Sequence, residues 1–226
     1  MSRWLKYAAA VLLLGGADAA EPPHPLAWPD TFLARVEALA LLETLNAELL
    51  SHDSATLTLE HWCGEHGLAA PARVVAIRVG DIDKAPSADQ RRELGVSDTE
   101  PVRYRRVRLL CGTAVLSEAD NWYVPSRLTS EMNKQLETTD TPFGKVVQPL
   151  RFRRHTLAAE LLWHPLPAGW ETTGARVADG NGTLAVPSEV LQHRALLTMP
   201  DGTPVSEVIE TYTGMVLGFT VQSSPN

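Results

Sequence analysis

Excess positive charge is missing from this sequence: 20 Lys and Arg stand against 27 Asp and Glu, for a net charge of −7. A generic nucleic-acid surface needs a basic stripe to displace counterions, so that class is disfavoured. The acidic sum also repels anions at long range, so any anion site must be a local cluster of arginines. Cysteine is scarce as well, with Cys63 and Cys111 the only two. That number is too small for a disulfide scaffold or a four-thiolate zinc site. The segment His61-Trp62-Cys63-Gly64-Glu65-His66 carries zinc-type ligands. No second Cys or His pair complements it, and a polar helix end is the simpler reading, so no metal is expected. A Gly-rich phosphate loop, a Cys-x-x-Cys pair and a nucleophile elbow are all absent, which removes the usual sequence markers of nucleotide, thiol-redox and serine-hydrolase chemistry. No apolar run reaches the roughly 20 residues that a membrane helix requires.

What is present is ordinary globular composition, 44% hydrophobic and 21% charged over 226 residues. A chain of this length can bury most of its unfolded surface without a metal or cross-link. The first 19 residues read as a secretory signal peptide: Arg3 and Lys6 precede a short apolar run from Ala8 to Ala17, and Ala17-Asp18-Ala19 fits a small-x-small cleavage site. The mature chain, 20–226, is therefore expected to be one exported, soluble domain, periplasmic or secreted, with no stable membrane insertion. Export opens the choice between a Cys63–Cys111 bridge and two separate buried thiols, and sequence gives no distance with which to decide.

Along the chain, four prolines in 21–29 predict an extended lead-in, and Asp30 is a candidate N-cap for a helix over 31–50. Phe32, Val36, Leu39, Leu42 and Leu49 recur at helical steps and predict its buried face. Residues 54–60 fit either a short helix or a strand. Residues 73–79 have strand chemistry, and 80–90 reads as a loop. Residues 102–111 and 114–124 predict a hairpin around Gly112-Thr113. A helix is expected over 126–137 with Ser126 as N-cap, then a turn at Thr141-Pro142-Phe143-Gly144. Segments 150–162, 184–199 and 204–221 follow, the last two flanking the turn Pro200-Asp201-Gly202-Thr203. Short strands with a few helices predict an α+β fold with a largely antiparallel sheet.

Three features could carry chemistry. Arg106 and Arg108 lie two apart on a predicted strand and so share a face, where they form a fork for carboxylate or phosphate or else a solvated outer surface. Glu207 and Glu210 lie three apart in a largely apolar strand, so at most one points inward unless a bulge intervenes. In Thr141-Pro142-Phe143-Gly144 the glycine permits close approach of backbone to a ligand and the phenylalanine supplies a wall.

In order and spacing these segments resemble the chorismate lyase family over most of the mature chain. His52-Asp53-Ser54 resembles its Glu-Asp-Ser-Met segment, and Arg103-Tyr104 through Leu109-Leu110-Cys111 its arginine-bearing strand with a Leu-Leu-Cys ending. The spacing from Cys111 to Tyr123-Val124-Pro125 is similar too. Thr141-Pro142-Phe143-Gly144-Lys145 resembles its Pro-Leu-Gly-Arg turn, and Gly202-Thr203-Pro204 through Glu210 its closing strand with a catalytic glutamate. The resemblance implies a six-stranded antiparallel sheet, helices closing over a buried pocket, and cofactor-free elimination of pyruvate from chorismate to give 4-hydroxybenzoate. A non-catalytic periplasmic module binding a small aromatic or anionic ligand is the alternative. Arg106 would hold a substrate carboxylate with Arg108 beside it, Glu210 would meet the ring oxygen and assist proton movement, and Phe143 and Gly144 would line the pocket. Glu210 stands one residue further from Pro204 than the family spacing, so either the strand bulges or Glu207 is the counterpart. The partner implied is a small aromatic carboxylate, with no nucleic acid, and the chain is expected to be a monomer. Leu94-Gly95-Val96 followed by Arg106-x-Arg108 also resembles the UTRA effector domains of GntR-type regulators. Those domains follow a helix-turn-helix, for which residues 1–30 leave no room, so a regulator is not expected.

Overall fold

A computed structural model describes residues 28–80, 82–172 and 177–219. The leader expected over residues 1–19 lies outside them. Six antiparallel strands form one sheet in the order β1-β2-β3-β6-β5-β4. They are β1 (Val74–Arg78), β2 (Arg103–Cys111), β3 (Ala114–Tyr123), β4 (Arg153–Leu161), β5 (Glu189–Thr198) and β6 (Pro204–Thr213). The α+β architecture and the antiparallel sheet therefore agree with the expectation from sequence. The β2–β3 hairpin turns where expected: Gly112 adopts φ +57°, and a Cβ there would meet the Ala69 Cβ at 2.8 Å. Both facts demand glycine.

The helices are α1 (Phe32–Ser51), α2 (Ala55–Glu65), α3 (Ala88–Leu94), α4 (Ser130–Thr138) and the single turn α5 (Phe143–Val146). Thr31, not Asp30, caps α1, accepting from the Ala34 N–H at 3.1 Å, while Asp30 pairs with Arg35 at 2.6 Å. The buried face of α1 is Ala34, Ala38, Leu42, Leu45 and Leu49. Of the expected set only Leu42 and Leu49 belong to it, because the small alanines let the helix lie close to its neighbours while Phe32 turns out toward Trp170. Ser54 caps α2, which settles the helix-or-strand ambiguity there. The expected loop at 80–90 contains the start of α3, set by a capping box in which Ser87 and Gln90 exchange side-chain and backbone hydrogen bonds. α4 begins at Ser130 with Thr129 as its cap, since Pro125 to Arg127 form a 3₁₀ turn ahead of it.

Helices α1 and α2 pack one apolar cluster against the inner sheet face, including Leu42, Leu59, Trp62, Val107, Leu109, Ala119 and Tyr212. A second cluster holds α4 and α5 to the same face through Met132, Leu136, Val146, Phe152 and Leu197. On the outer face α3 covers Trp122 and Val124 with Leu94. Cys63 of α2 and Cys111 of β2 are joined in a disulfide with their Cα atoms 6.5 Å apart. The bridge takes the Cys63 sulfur away from any metal. His66 meanwhile lies between the rings of Trp62 and Phe219, at 3.9 and 4.4 Å.

Candidate functional site

Between the two inner clusters a cavity opens beneath the start of α2 and beneath α5. Its enclosed core is small, about 40 Å³, and with the open solvent at its mouth the space between the walls comes to about 500 Å³. Strand parity decides which side chains reach it. Val107, Leu109 and Cys111 of β2 are buried on the inner face, so by the two-residue period Arg105 shares that face. Arg105 is 5% exposed and lines the cavity, whereas Arg106 and Arg108 point to the opposite face. There Arg106 donates to Glu118 at 2.7 Å and Arg108 to the other oxygen of the same carboxylate at 3.0 Å. This corrects the expectation that placed Arg106 and Arg108 in the pocket: the apolar residues that alternate with them mark the buried face, and these two arginines are out of phase with it.

Arg105 donates one Nη2–H to the Thr141 carbonyl at 3.2 Å, and its Nε is buried without a partner. No carboxylate among the described residues pairs with it. Burial pushes its pKa down to about 10, with help from nearby Arg78. The guanidinium remains charged at neutral pH. Its cross-strand neighbour Asn121 also lines the cavity, with its amide oxygen bonded to the Ser206 hydroxyl.

Glu210 reaches the same space from β6. Its Oε2 accepts from Arg154 Nη2 at 2.6 Å and from the Tyr212 hydroxyl at 3.2 Å. The Arg154 side chain, on β4, is only 3% exposed. Burial works against its charge, but Glu210 more than offsets this and its pKa is raised. Burial, then the Glu210 charge, holds the Tyr212 hydroxyl neutral well above its ordinary range. Beside Glu210, His193 is fully buried with Nε2 2.8 Å from the Asn46 amide oxygen, and burial, then Arg154, pushes its pKa down to about 4.

The Glu207/Glu210 alternative resolves through a bulge. Leu197 pairs with Ser206 but Thr198 with Pro204, so Val205 is the extra residue on β6. Glu210 then faces in and Glu207 faces out, where Arg194 bridges it to Glu93 of α3 at 2.8 and 2.7 Å. Phe143 and Gly144 line the cavity. A Cβ on Gly144 would stand 3.1 Å from Ser54 Oγ, so glycine lets α5 close against the α2 cap. Lys145 then ties α5 to Glu60 of α2 at 2.5 Å. At the rim, Asp53 accepts from the Arg154 backbone N–H at 3.0 Å and from the Arg153 guanidinium at 3.2 Å.

Over 193 residues the chain is 53% identical to the uncharacterized protein y4mC of Sinorhizobium fredii, covering 85% of this chain and 81% of that one. The chain belongs to the y4mC family. No protein-family model matches this y4mC-family chain. Among solved structures it is similar to PhnF of Mycobacterium smegmatis at 15% identity, with a TM-score of 0.47 over 77% of this chain and 70% of that one. The effector domain of the same PhnF gives 0.46 at 15% identity, over 76% and 96%. YydK of Bacillus subtilis, described as a possible transcriptional regulator, gives 0.39 at 14% identity over 67% of this chain, which spans 62% of YydK.

For this y4mC-family member, sequence reasoning missed Arg105, Arg154, Asn121 and Tyr212. The signal for Arg105 was its phase with Val107, Leu109 and Cys111. Arg154 lay inside a basic stretch, Arg151-Phe152-Arg153-Arg154-His155, that gave no sign of which arginine turns in.

Proposed function

We propose that this chain binds a small single-ring aromatic carboxylate in the inner cavity, with Arg105 as the residue that takes the carboxylate. The observation that carries this reading is the Arg105 guanidinium itself, buried and without a carboxylate partner among the described residues. A buried charge without a counter-ion costs several kcal/mol, and a ligand anion offsets that cost on binding. The start of α2, at Ser54 to Thr56, also lines the cavity and turns the positive end of its helix toward an anion. Phe143 and Phe152 supply aromatic walls for a ring. The disulfide and the leader-like N-terminus support an exported chain working in an oxidising compartment.

Calorimetry with 4-hydroxybenzoate tests the assignment. Loss of a charge-assisted contact whose partner stays buried costs about 2–5 kcal/mol. Arg105→Ala is therefore expected to weaken binding at least tenfold, the equivalent of about 1.4 kcal/mol. Arg105→Lys is expected not to restore it, because an ammonium cannot form the planar fork. Arg106→Ala, which breaks only the outer pairs with Glu118 and Asp120, is expected to leave affinity unchanged. Equal affinity of the parent and Arg105→Ala would end the assignment.

A second reading, chorismate lyase-like catalysis, is favoured by the presence of Glu210 and a guanidinium in one cavity. In that reaction the ether C–O bond of chorismate breaks and the neighbouring ring carbon loses its proton, giving aromatic 4-hydroxybenzoate. The departing enolpyruvate takes up a proton at its methylene carbon to become pyruvate. Arg105 would hold the ring carboxylate, Glu210 would assist the proton, and Arg154 would steady Glu210. No cofactor enters the balance. Ultraviolet absorbance of the purified chain with chorismate separates the readings, since 4-hydroxybenzoate formation is seen directly and a binding module produces none.

A further inference from the structure

The charges enclosed by the cavity do not cancel. Arg105 and Arg154 bring two guanidiniums, and Glu210 brings one carboxylate already bound to Arg154. Asp53 stands at the rim, its side chain 41% exposed and engaged by Arg153. Of the other titratable neighbours, His193 is held neutral by its burial and the Tyr212 hydroxyl stays protonated, while behind the lining Arg78 and Asp140 act on Arg105 with opposite signs. One positive charge is left over, on Arg105.

The hydrogen bonding of Glu210 points the same way. Arg154 and Tyr212 both donate to Oε2, and Oε1 carries no hydrogen bond among the described residues. A carboxylate oxygen is an acceptor only. It can take an N–H or O–H from a ligand, whereas a second ligand carboxylate beside it brings two like charges together in a place poorly screened by water.

We infer that the cavity selects singly charged aromatic carboxylates over doubly charged ones of the same shape, and that Glu210 is the residue that sets this limit. This rests on the ligand class proposed above. It makes Glu210 a specificity determinant, and because chorismate carries two carboxylates the same limit counts against the lyase reading and for the binding module. The ligand favoured is a ring with a carboxylate at Arg105 and a hydrogen-bond donor at the far end.

The test pairs two ligands of nearly equal shape, 4-carbamoylbenzoate with one charge and terephthalate with two, in calorimetry at neutral pH, with 4-hydroxybenzoate alongside. The parent chain is expected to bind 4-carbamoylbenzoate at least tenfold more tightly than terephthalate. Glu210→Gln, which raises the enclosed charge by one, is expected to close that gap to less than threefold or reverse it. Arg105→Gln, which removes the leftover charge, is expected to lose 4-hydroxybenzoate and to bind neutral 4-hydroxybenzamide at least as well; it keeps the question decidable if Glu210→Gln does not fold. Terephthalate bound as tightly as the monoamide by the parent overturns the inference. So does rejection of both while 4-hydroxybenzoate binds, because the cavity is then selecting by size. If the folded parent binds none of the benzoates, the ligand class itself is wrong and the inference goes with it.

Discussion

Removing the Cys63–Cys111 bridge by a double substitution, Cys63→Ala with Cys111→Ala, perturbs the join between α2 and the sheet without touching the cavity lining. The two cysteines are 48 residues apart in sequence. Cross-linking a loop of that length removes chain entropy from the unfolded state equivalent to about 4 kcal/mol at room temperature. For a chain of this size each kcal/mol moves the midpoint by about 2–4 °C, so a fall of about 8–16 °C is expected. Both cysteines are 0% exposed, so reductant reaches the bond only when the chain opens. The thermal midpoint of the parent in dithiothreitol is therefore expected to approach that of the variant, while native parent resists reduction. Thiol titration of unfolded, unreduced parent is expected to find no free thiol. A midpoint within 3 °C of the parent for the double variant would refute the entropic argument, and two free thiols would refute the bridge.

One further expectation comes from the structure and one from the sequence of the N-terminus. His193 has its pKa lowered from about 6.5 to about 4 by burial, so the unfolded chain binds a proton there that the folded chain does not; stability is lost as pH falls from about 6.5 to about 4, by about 3 kcal/mol in all. Thermal midpoints of the parent and His193→Gln across that window are expected to converge toward low pH, and parallel curves would show that His193 contributes nothing to the acid loss. If the first 19 residues act as the proposed leader, tagged full-length protein is recovered outside the cytoplasm with a mature N-terminus at or within two residues of Ala20; cytoplasmic protein retaining Met1 is the contrary result.

The sheet was legible because its signals are local. Alternation in 102–111 and 114–124 around Gly112, and the turn at Pro200 to Thr203, fix two hairpins with few alternatives. Helix starts were less legible, since Asp30, Thr31, Ser126 and Thr129 are all chemically suitable caps and the choice among them is made by tertiary contacts. α3 is hard to see in the sequence although its Ser87-x-x-Gln90 box is present, because the composition of 80–90 is that of a loop. Phe143 and Gly144 were found because a short turn has few ways to present them. The bridge could not be read at all, as it depends on how α2 lies over β2.

The arginine error has a more general cause. In Arg103 to Cys111 four arginines occupy both phases of one strand, and the usual expectation places charge on the solvated face. The two-residue spacing of Arg106 and Arg108 and the resemblance of their strand to an arginine-bearing one point to that pair instead of Arg105, and it sits outside and neutralises Glu118. A binding arginine violates that expectation, since it has to lie in phase with the apolar residues. The phase rule thus identifies Arg105 by the same feature that made it look unsuitable.

β6 makes the complementary point about carboxylates. Glu207 and Glu210 each meet an arginine from a strand on the β5–β4 side of the sheet, Arg194 outside and Arg154 inside, and both pairs are largely withdrawn from water. Buried ion pairs are on average no more stabilising than well-packed apolar side chains, so stability alone accounts for neither. What differs is the third partner. Outside, Glu93 closes the network from α3, so that Arg194 clamps a helix to the sheet and the charges are consumed in the fold. Inside, no helix side chain among the described residues closes the network; the space next to Glu210 is the cavity, and Arg105 is the guanidinium there with no counter-ion among those residues. The period of the strand creates two equivalent carboxylate positions, and the placement of α3 on one face and of the cavity on the other makes one a strut and the other a site.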